Sequence, residues 1–458
     1  MENKVRVISA RILTIAFPVM VQGLVFQIQS LTDKAFLGNI DPIYLSALGA
    51  AQFPLNTTLD SVVALGTGIT IIVSRLYGEK RSKSVIGDVK STLLFNSILS
   101  IFLFIIWCSF TEDILHILQV NERIMTFSKN YIMICSGYIL LLGIDSSLQA
   151  MLQGLGDTRP IMYAGVLKVI LNICISWVLI FGHFGFSPMY IDGAAIGTLV
   201  ANLISAMGMI VYCFVWKKDV FQLHKEKRLW FSWRPFARVI RLGMPTALEF
   251  LLWNASNLVL IRFLNGFSYL ATTIYTLTFG IEVIIYAVFN GISRATLIIM
   301  GQEMGACDKK KANIVFRVSV GLNLIIVGIA ICIFILFTKP ILMIFTKDIK
   351  TISETIPFLM ITGIIMIPKS LNVIIGSAIR ANQDTRFMLF SQMVGSTFVI
   401  ACSFAMVQIF HLHMIGIYIT LFLDEAIRAM VNGIHYSRCY GDKKDKTGTV
   451  KGDCVWMS

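Results

Sequence analysis

The sequence predicts an all-α polytopic membrane protein, with about twelve transmembrane helices in two six-helix bundles related by a parallel, pseudo-two-fold repeat. Composition is the first ground: 56% of the 458 residues are hydrophobic, 14% are charged, and the mean hydropathy is +0.76. A soluble chain would carry about 25% charged residues. The second is run length, because apolar stretches of roughly 20 residues, enough to cross about 30 Å of hydrocarbon, recur about twelve times. They are continuous rather than alternating, which favours helices over a barrel. The third is a repeat. Pro18 recurs as Pro245, an offset of 245 − 18 = 227. The same shift carries Gly78 onto Gly305, Asn96 onto Asn323, Asp157-Thr158-Arg159 onto Asp384-Thr385-Arg386, and Ser176 onto Ser403. One half-molecule is written twice, and a duplicated membrane half normally sets a substrate path between its copies.

The first run begins near Arg11 and is long, without a small-residue cleavage site before the next span, so it reads as a helix rather than a signal peptide. The next five begin near Leu45, Gly87, Ser128, Ile161 and Ile191, and the second six near Val239, Ala271, Ile314, Ser353, Met388 and Met414. Basic residues occupy alternate connections. Lys4, Arg6 and Arg11 precede the first run; Arg75, Lys80, Arg81, Lys83 and Lys90 follow the second; Arg159 follows the fourth. Lys217, Lys218, Lys225, Lys227, Arg228, Arg234, Arg238 and Arg241 follow the sixth, Lys309 to Lys311 the eighth, Arg380 and Arg386 the tenth, and Arg438, Lys443, Lys444 and Lys446 the last. The opposite loops carry few, chiefly Arg123, Lys129, Lys339, Lys347 and Lys350. The net charge of +13 is therefore a positive-inside pattern of an inner (plasma) membrane protein with both termini cytoplasmic, not the footprint of a nucleic acid.

Six spans per half give both halves the same orientation, hence a parallel repeat. The predicted organisation is an N-lobe over 1–216, a basic linker over 217–238, a C-lobe over 239–438 and a tail over 439–458. Trp230, Phe231 and Trp233 in the linker suit an amphipathic stretch on an anionic leaflet better than base stacking. The nine cysteines show neither metal-ligand nor paired-disulfide spacing and read as packing residues.

An ionisable side chain at bilayer depth needs a partner, a wet cavity or the interface. Gln22, Gln29, Ser30 and Asp33 progress at helical spacing along one polar stripe of the first span, near whose outer end Asp33 lies. Asp33 is expected to carry the coupling ion, the alternative being an interfacial acid beside Lys34. Lys168, Asn172 and Ser176 stand at i, i+4, i+8 on one face of the fifth span. Lys168 either pairs with Asp33 or snorkels toward the cytoplasmic end of its helix. In the second half the repeat sets Glu249 opposite Gln22. Glu249, Asn254, Asn257 and Glu282, with Gln22 and Gln29, are the candidate substrate-binding residues, although Glu282 could instead partner Arg262 or Arg294. Asp424 and Arg428 (i, i+4) neutralise each other, and Asp157 and Asp384 cap helices. Asp60 and Asp145 receive no role.

Several runs together resemble the multidrug and toxic compound extrusion (MATE) family over essentially the whole chain. They are PVMVQGLVFQIQSLTDKAFLG, IIVSRLYGEKRSKSV, LQGLGDTRPIM, NICISWVLIFG with IDGAAIGT, GMPTALEFLLWNASN, and LDEAIRAMVNGIHYSRCYG. The chain looks closer to the DinF-like than to the NorM-like branch; the NorM-like tenth-helix acid is missing, with Lys369 and Asn372 in that region, which speaks against sodium coupling through the C-lobe. The resemblance implies secondary active efflux of organic, often cationic, compounds in exchange for H+ or Na+, by alternating access of two lobes. It also places the family's coupling aspartate at Asp33, with Asn172 and Thr198 as companions. Many members have an acid where Ser176 stands, and losing it while gaining Lys168 disfavours Na+, so H+ is the expected coupling ion. No cofactor, metal or obligatory protein partner is implied. A lipid-linked oligosaccharide or polysaccharide flippase of similar plan is the alternative, kept open by Lys168 and Lys369. An embedded enzyme finds no support, since HExxH, GxSxG and a phosphate-binding glycine loop are all missing.

Overall fold

A computed structural model describes residues 2–80, 82–217, 233–265, 269–345 and 348–441. Among them are thirteen α-helices and no strand. They are α1 (Glu2–Gly38), α2 (Pro42–Gly78), α3 (Ser82–Ile117), α4 (Glu122–Ser136), α5 (Ile139–Leu155), α6 (Arg159–Phe181), α7 (Tyr190–Val211), α8 (Trp233–Asn265), α9 (Tyr269–Gly305), α10 (Lys309–Phe345), α11 (Ile349–Ala381), α12 (Thr385–Phe404) and α13 (His413–Cys439).

Ten of these helices are long and apolar enough to span a bilayer alone. The pair α4 and α5, bent by 51°, makes one further span. The last, α13, is set apart by Asp424, Glu425 and Arg428 along its length. By length and composition that makes up to eleven spans among the described residues, and α13 is the remaining helix of the twelve that the apolar runs predict. At 37 residues α2 and α9 would be about 55 Å long, so their ends reach well past the hydrocarbon.

The offset of 227 holds in the backbone. It carries both ends of α2 to within one residue of those of α9. Phe110 and Phe337 break their helices with nearly the same angles, φ −119°, ψ 15° and φ −122°, ψ 20°. One residue on, the Thr111 and Thr338 hydroxyls donate to the Trp107 and Phe334 carbonyls, a back-bond that bends helices. The turn after α5 holds Gly156 at φ 84°, and the equivalent turn holds Gln383 at φ 67°. Equivalent packing sites differ in chemistry. A Cβ on Gly66 would lie 3.3 Å from Ala150 Cβ, whereas their counterparts Ser293 and Ser377 share a hydrogen bond of 2.5 Å. Gly137 stands at the α4/α5 break, where the continuous α11 has Ile364.

Two compact units emerge. One contains Met1–Met20, Ser74–Lys80 and Leu248–Ser458, the other Val21–Val73 and Arg81–Ala247. We call them the C-unit and the N-unit. The divisions within α1 and α8 fall at equivalent positions, two residues after Pro18 and Pro245. In the C-unit the start of α1 is fastened to the end of α9: Arg11 Nη1 donates to Glu303 Oε1 (2.5 Å) and Nη2 to Gln302 Oε1 (2.7 Å). Lys311 Nζ joins Glu303 Oε2 at 2.9 Å. Buried Leu37, Leu48, Trp107, Leu115 and Tyr131 form an apolar core in the N-unit, and Leu260, Leu264, Tyr275, Ile417 and Tyr418 one in the C-unit.

Also in the C-unit, the ends of α2 and α9 cross at glycines. A Cβ on Gly78 would overlap the Gln302 backbone, and one on Gly305 the Arg75 backbone. Gly78→Val is therefore expected to destabilise the protein by about 1–3 kcal/mol, seen as a lower half-inactivation temperature in detergent. Gly321→Ala, where a Cβ meets nothing within 4 Å, is the control and should not lower it.

Local expectations divide. Asp384 caps α12, accepting from Phe387 N at 3.3 Å. Asp157 does not cap α6; it binds Lys217 Nζ at 2.8 Å because the chain after α7 brings that lysine within reach. Asp348 caps α11, and hydrogen bonds from Thr351 hold its carboxyl below the usual range. Among the described residues Cys108, Cys135, Cys174, Cys213, Cys332, Cys402 and Cys439 are free thiols, and Cys454 lies outside the described residues. Trp230 and Phe231 of the linker, and residues 442–458 of the tail, lie outside the described residues.

Candidate functional site

Buried polar groups gather in clusters within each unit. In the N-unit, α6 packs along α7, and Gly197 leaves room for Ser176 where the two backbones approach. Asn172 and Ser176 are fully buried there. Asn172 Nδ2 donates to Thr198 Oγ1 at 3.1 Å and to Ser176 Oγ at 3.5 Å, which brings together three residues of the expected ion site.

Asp33, on α1, is only 3% exposed. It makes no hydrogen bond among the described residues. Its Oδ1 is sealed without a partner, as are Gln29 Oε1 and Asn172 Oδ1. Three orphaned acceptor oxygens in a donor-poor interior are costly, an ionised one by several kcal/mol. A proton on Asp33 would remove the ionised part of that cost. Gln22 is half-buried against α6, where a Cβ on Gly165 would sit 3.0 Å from its Cγ.

Lys168 does not pair with Asp33. Its ammonium lies 5.5 Å from the centre of the Phe26 ring, and the charges acting on it belong to Asp145 and Asp60. The reason is distance along α1, since Asp33 stands two turns beyond Phe26, about 10 Å. Asp145 Oδ2 accepts from Tyr138 Oη (2.7 Å) and Gln149 Nε2 (2.9 Å), while Oδ1 is buried without a partner. Asp60 is exposed midway along α2. Sequence reasoning gave neither acid a role. The signal was there in Lys168, because a lysine inside a span calls for carboxylates on the helices around it.

In the C-unit every candidate acid already has a cation. Glu249 Oε1 accepts from Arg380 Nη2 at 2.5 Å, leaving Oε2 buried and unpaired. Glu282 is paired with Lys369, not with Arg262 or Arg294, because α9 and α11 pack side by side. Asn254 and Asn257 each turn one amide N–H back onto the Phe250 and Trp253 carbonyls (3.1 and 3.0 Å), and Asn257 Oδ1 accepts from Tyr275 Oη at 3.4 Å, so each amide keeps one further donor.

A second set of C-unit residues was read only as a neutral pair. Arg428 does bind Asp424, at 2.6 and 3.0 Å, but it also reaches Gln392 Oε1 (2.6 Å) and Glu425 (3.2 Å). Glu425 Oε2 accepts from Asn372, whose Oδ1 accepts from Asn432. Gln392, Asp424, Glu425 and Arg428 of this network, with Glu282 and Lys369, line a cavity of about 50 Å³ whose other walls include Trp253, Tyr275, Phe279 and Tyr418.

The MatE family profile matches residues 18–178 and 245–407, two stretches whose starts are again 227 apart. Among sequence relatives, the chain is 26% identical over 435 residues to "Probable multidrug resistance protein NorM" of Thermotoga maritima, covering 93% of this chain and 92% of the relative. It is 24% identical over 416 residues to "Uncharacterized transporter YisQ" of Bacillus subtilis, covering 86% and 89%. Among solved structures it is similar to a MATE transporter in complex with MaD3S, with TM-score 0.85, 17% identity and 93% and 95% of the two chains covered. A MOP superfamily transporter from Pyrococcus furiosus superposes equally well, with TM-score 0.85, 18% identity and coverage of 93% and 95%. At these identities the structures establish the common fold.

Proposed function

The chain belongs to the MatE family, a family of membrane transporters and not of enzymes, and from that premise we propose that it is a secondary active multidrug efflux transporter in the plasma membrane, exchanging H+ for organic, chiefly cationic, compounds. The observation that carries this reading is Asp33, a carboxylate sealed inside α1 with an unpaired oxygen, accompanied by the unpaired oxygens of Gln29 and Asn172. Such a group can load and release an ion as access alternates. Relatives carrying the name multidrug resistance protein support small organic substrates. H+ is favoured over Na+ because Ser176 stands where many members of the family have a second acid. A hard cation then finds one carboxylate where those members offer two. The placement of basic residues supports cytoplasmic termini. The tenth-helix region without an acid, Lys369 and Asn372, keeps the chain nearer the DinF-like branch in this reading.

The flippase reading draws nothing from the two lysines. Lys369 is paired with Glu282, and Lys168 lies over the Phe26 ring with the charges of Asp145 and Asp60 acting on it, which speaks against a free cationic surface for a lipid pyrophosphate.

Uptake of a fluorescent organic cation into inside-out vesicles, under separately imposed pH and sodium gradients, tests the proposal. Accumulation is expected under a pH gradient in sodium-free buffer. Accumulation only with sodium would overturn the proton assignment, and none under either gradient would overturn efflux itself.

A further inference from the structure

The C-unit cavity has the chemistry of an ammonium receptor with its own ammonium inside. Glu282 stands at the aromatic end, where its charge acts on both Tyr275 and Tyr418. Trp253 stacks on Phe279 with centroids 6.3 Å apart, and Tyr275 on Phe279 at 6.0 Å. An acid beside several aromatic faces is how proteins hold quaternary and tertiary ammonium groups, through the ring quadrupoles and one carboxylate. The opposite end is ionic, with Asp424, Glu425 and Arg428. Three carboxylates thus face two cationic side chains, an excess of one negative charge that suits a monocation.

Lys369 lies between the two ends. Its ammonium donates to Glu282, is acted on by Glu425, and sits 5.9 Å from the centre of the Tyr286 ring. It makes the contacts with acid and aromatic ring that a ligand ammonium would make. The repeat has no lysine at the equivalent position, where Leu142 stands, so this cation is particular to the C-unit.

We propose that this cavity is a binding site for the ammonium head group of an organic cation, and that Lys369 is its resident occupant, which the ligand must displace from Glu282. The choice of an organic ligand rests on the efflux reading; the site itself rests on the geometry. Lys369 then acts as a selectivity filter. A weakly binding cation leaves the Lys369–Glu282 pair closed, and only one that outcompetes a tethered ammonium opens it.

The test uses the purified full-length protein in detergent, titrated with tetramethylammonium chloride. Binding is read as the ligand-dependent rise in unfolding temperature, against sodium chloride at equal ionic strength and against uncharged tert-butanol. Lys369→Ala removes the competing charge and frees its volume, and is expected to bind tetramethylammonium about tenfold more tightly than the wild type. Lys369→Arg should bind no more tightly than the wild type, and Glu282→Gln/Lys369→Ala should lose the gain. An equal or weaker response from Lys369→Ala overturns the inference, as does a sodium response of the same size, which would make the cavity a metal-cation site. Should Lys369→Ala fail to fold, Glu282→Gln decides, since it must weaken the wild-type response and an unchanged one overturns the proposal. Gradient-driven efflux with no gain from Lys369→Ala would sink this inference alone. The expected pattern of binding in a protein that drives no uptake would sink the efflux reading alone.

Discussion

Asp33→Asn is expected to abolish gradient-driven accumulation of organic cations in inside-out vesicles while leaving the fold intact. Asn nearly conserves the volume of Asp and supplies an amide donor to an interior where Gln29 Oε1 and Asn172 Oδ1 have none, so the variant should be at least as stable as the wild type. What it cannot do is change charge. In a one-for-one exchange a gradient of one pH unit carries about 1.4 kcal/mol, which supports roughly a tenfold concentration ratio of substrate. The variant should lose that ratio and equilibrate substrate to the same concentration on both sides. It should also lose the dependence of initial rate on internal pH. Accumulation that persists at the wild-type ratio, with the same pH profile, would remove Asp33 from the coupling step. A variant that neither accumulates nor equilibrates substrate, yet unfolds at the wild-type temperature, would place Asp33 in substrate passage instead.

The fold was legible because two of its signals do not depend on tertiary detail. Apolar length sets the number of spans, and the offset of 227 survives in the helix ends and in the kinks at Phe110 and Phe337. The α4/α5 break was not legible, since one glycine among apolar residues does not distinguish a bent span from a straight one. In the candidate sites, what followed from spacing on a single helix held, as with Asn172 and Ser176 on one face or Asp424 and Arg428 four apart. Ion pairs between helices were not legible. Lys168 was expected either to pair with Asp33 or to snorkel, and the charges acting on it are those of Asp145 and Asp60; the arginines offered as alternative partners of Glu282 gave way to Lys369. Helical periodicity gives the direction of a side chain but neither the axial level nor the rotation of its neighbour, and ion pairs depend on both.

The largest loss of stability is expected from Arg428→Ala. Arg428 is the only cation within 4.0 Å of Asp424 and Glu425 among the described residues, and both carboxylates are buried. Removing one partner of a buried ionic cluster costs about 3–5 kcal/mol, because the remaining charges lie uncompensated in a medium that cannot solvate them. The repeat suggests a rescue. The offset carries Lys168 onto Gly395 and Ala201 onto Arg428, so the first half carries its cation on α6 and the second on α13, the helix equivalent to α7. Gly395 is what makes the second version possible, since a Cβ there would lie 2.6 Å from Arg428 Cδ and 2.7 Å from Asp424 Oδ1. With the arginine truncated that space opens, and Gly395→Lys in the Arg428→Ala background would deliver a cation from the Lys168-equivalent position. The double variant should recover at least about half of the lost stability, as a coupling energy of about 1.5 kcal/mol or more in a double-mutant cycle. Gly395→Lys alone should destabilise by overpacking against Arg428 and by adding a like charge beside it. If the two changes simply add, the halves do not share a cation position, and the correspondence between Lys168 and Arg428 is an accident of alignment.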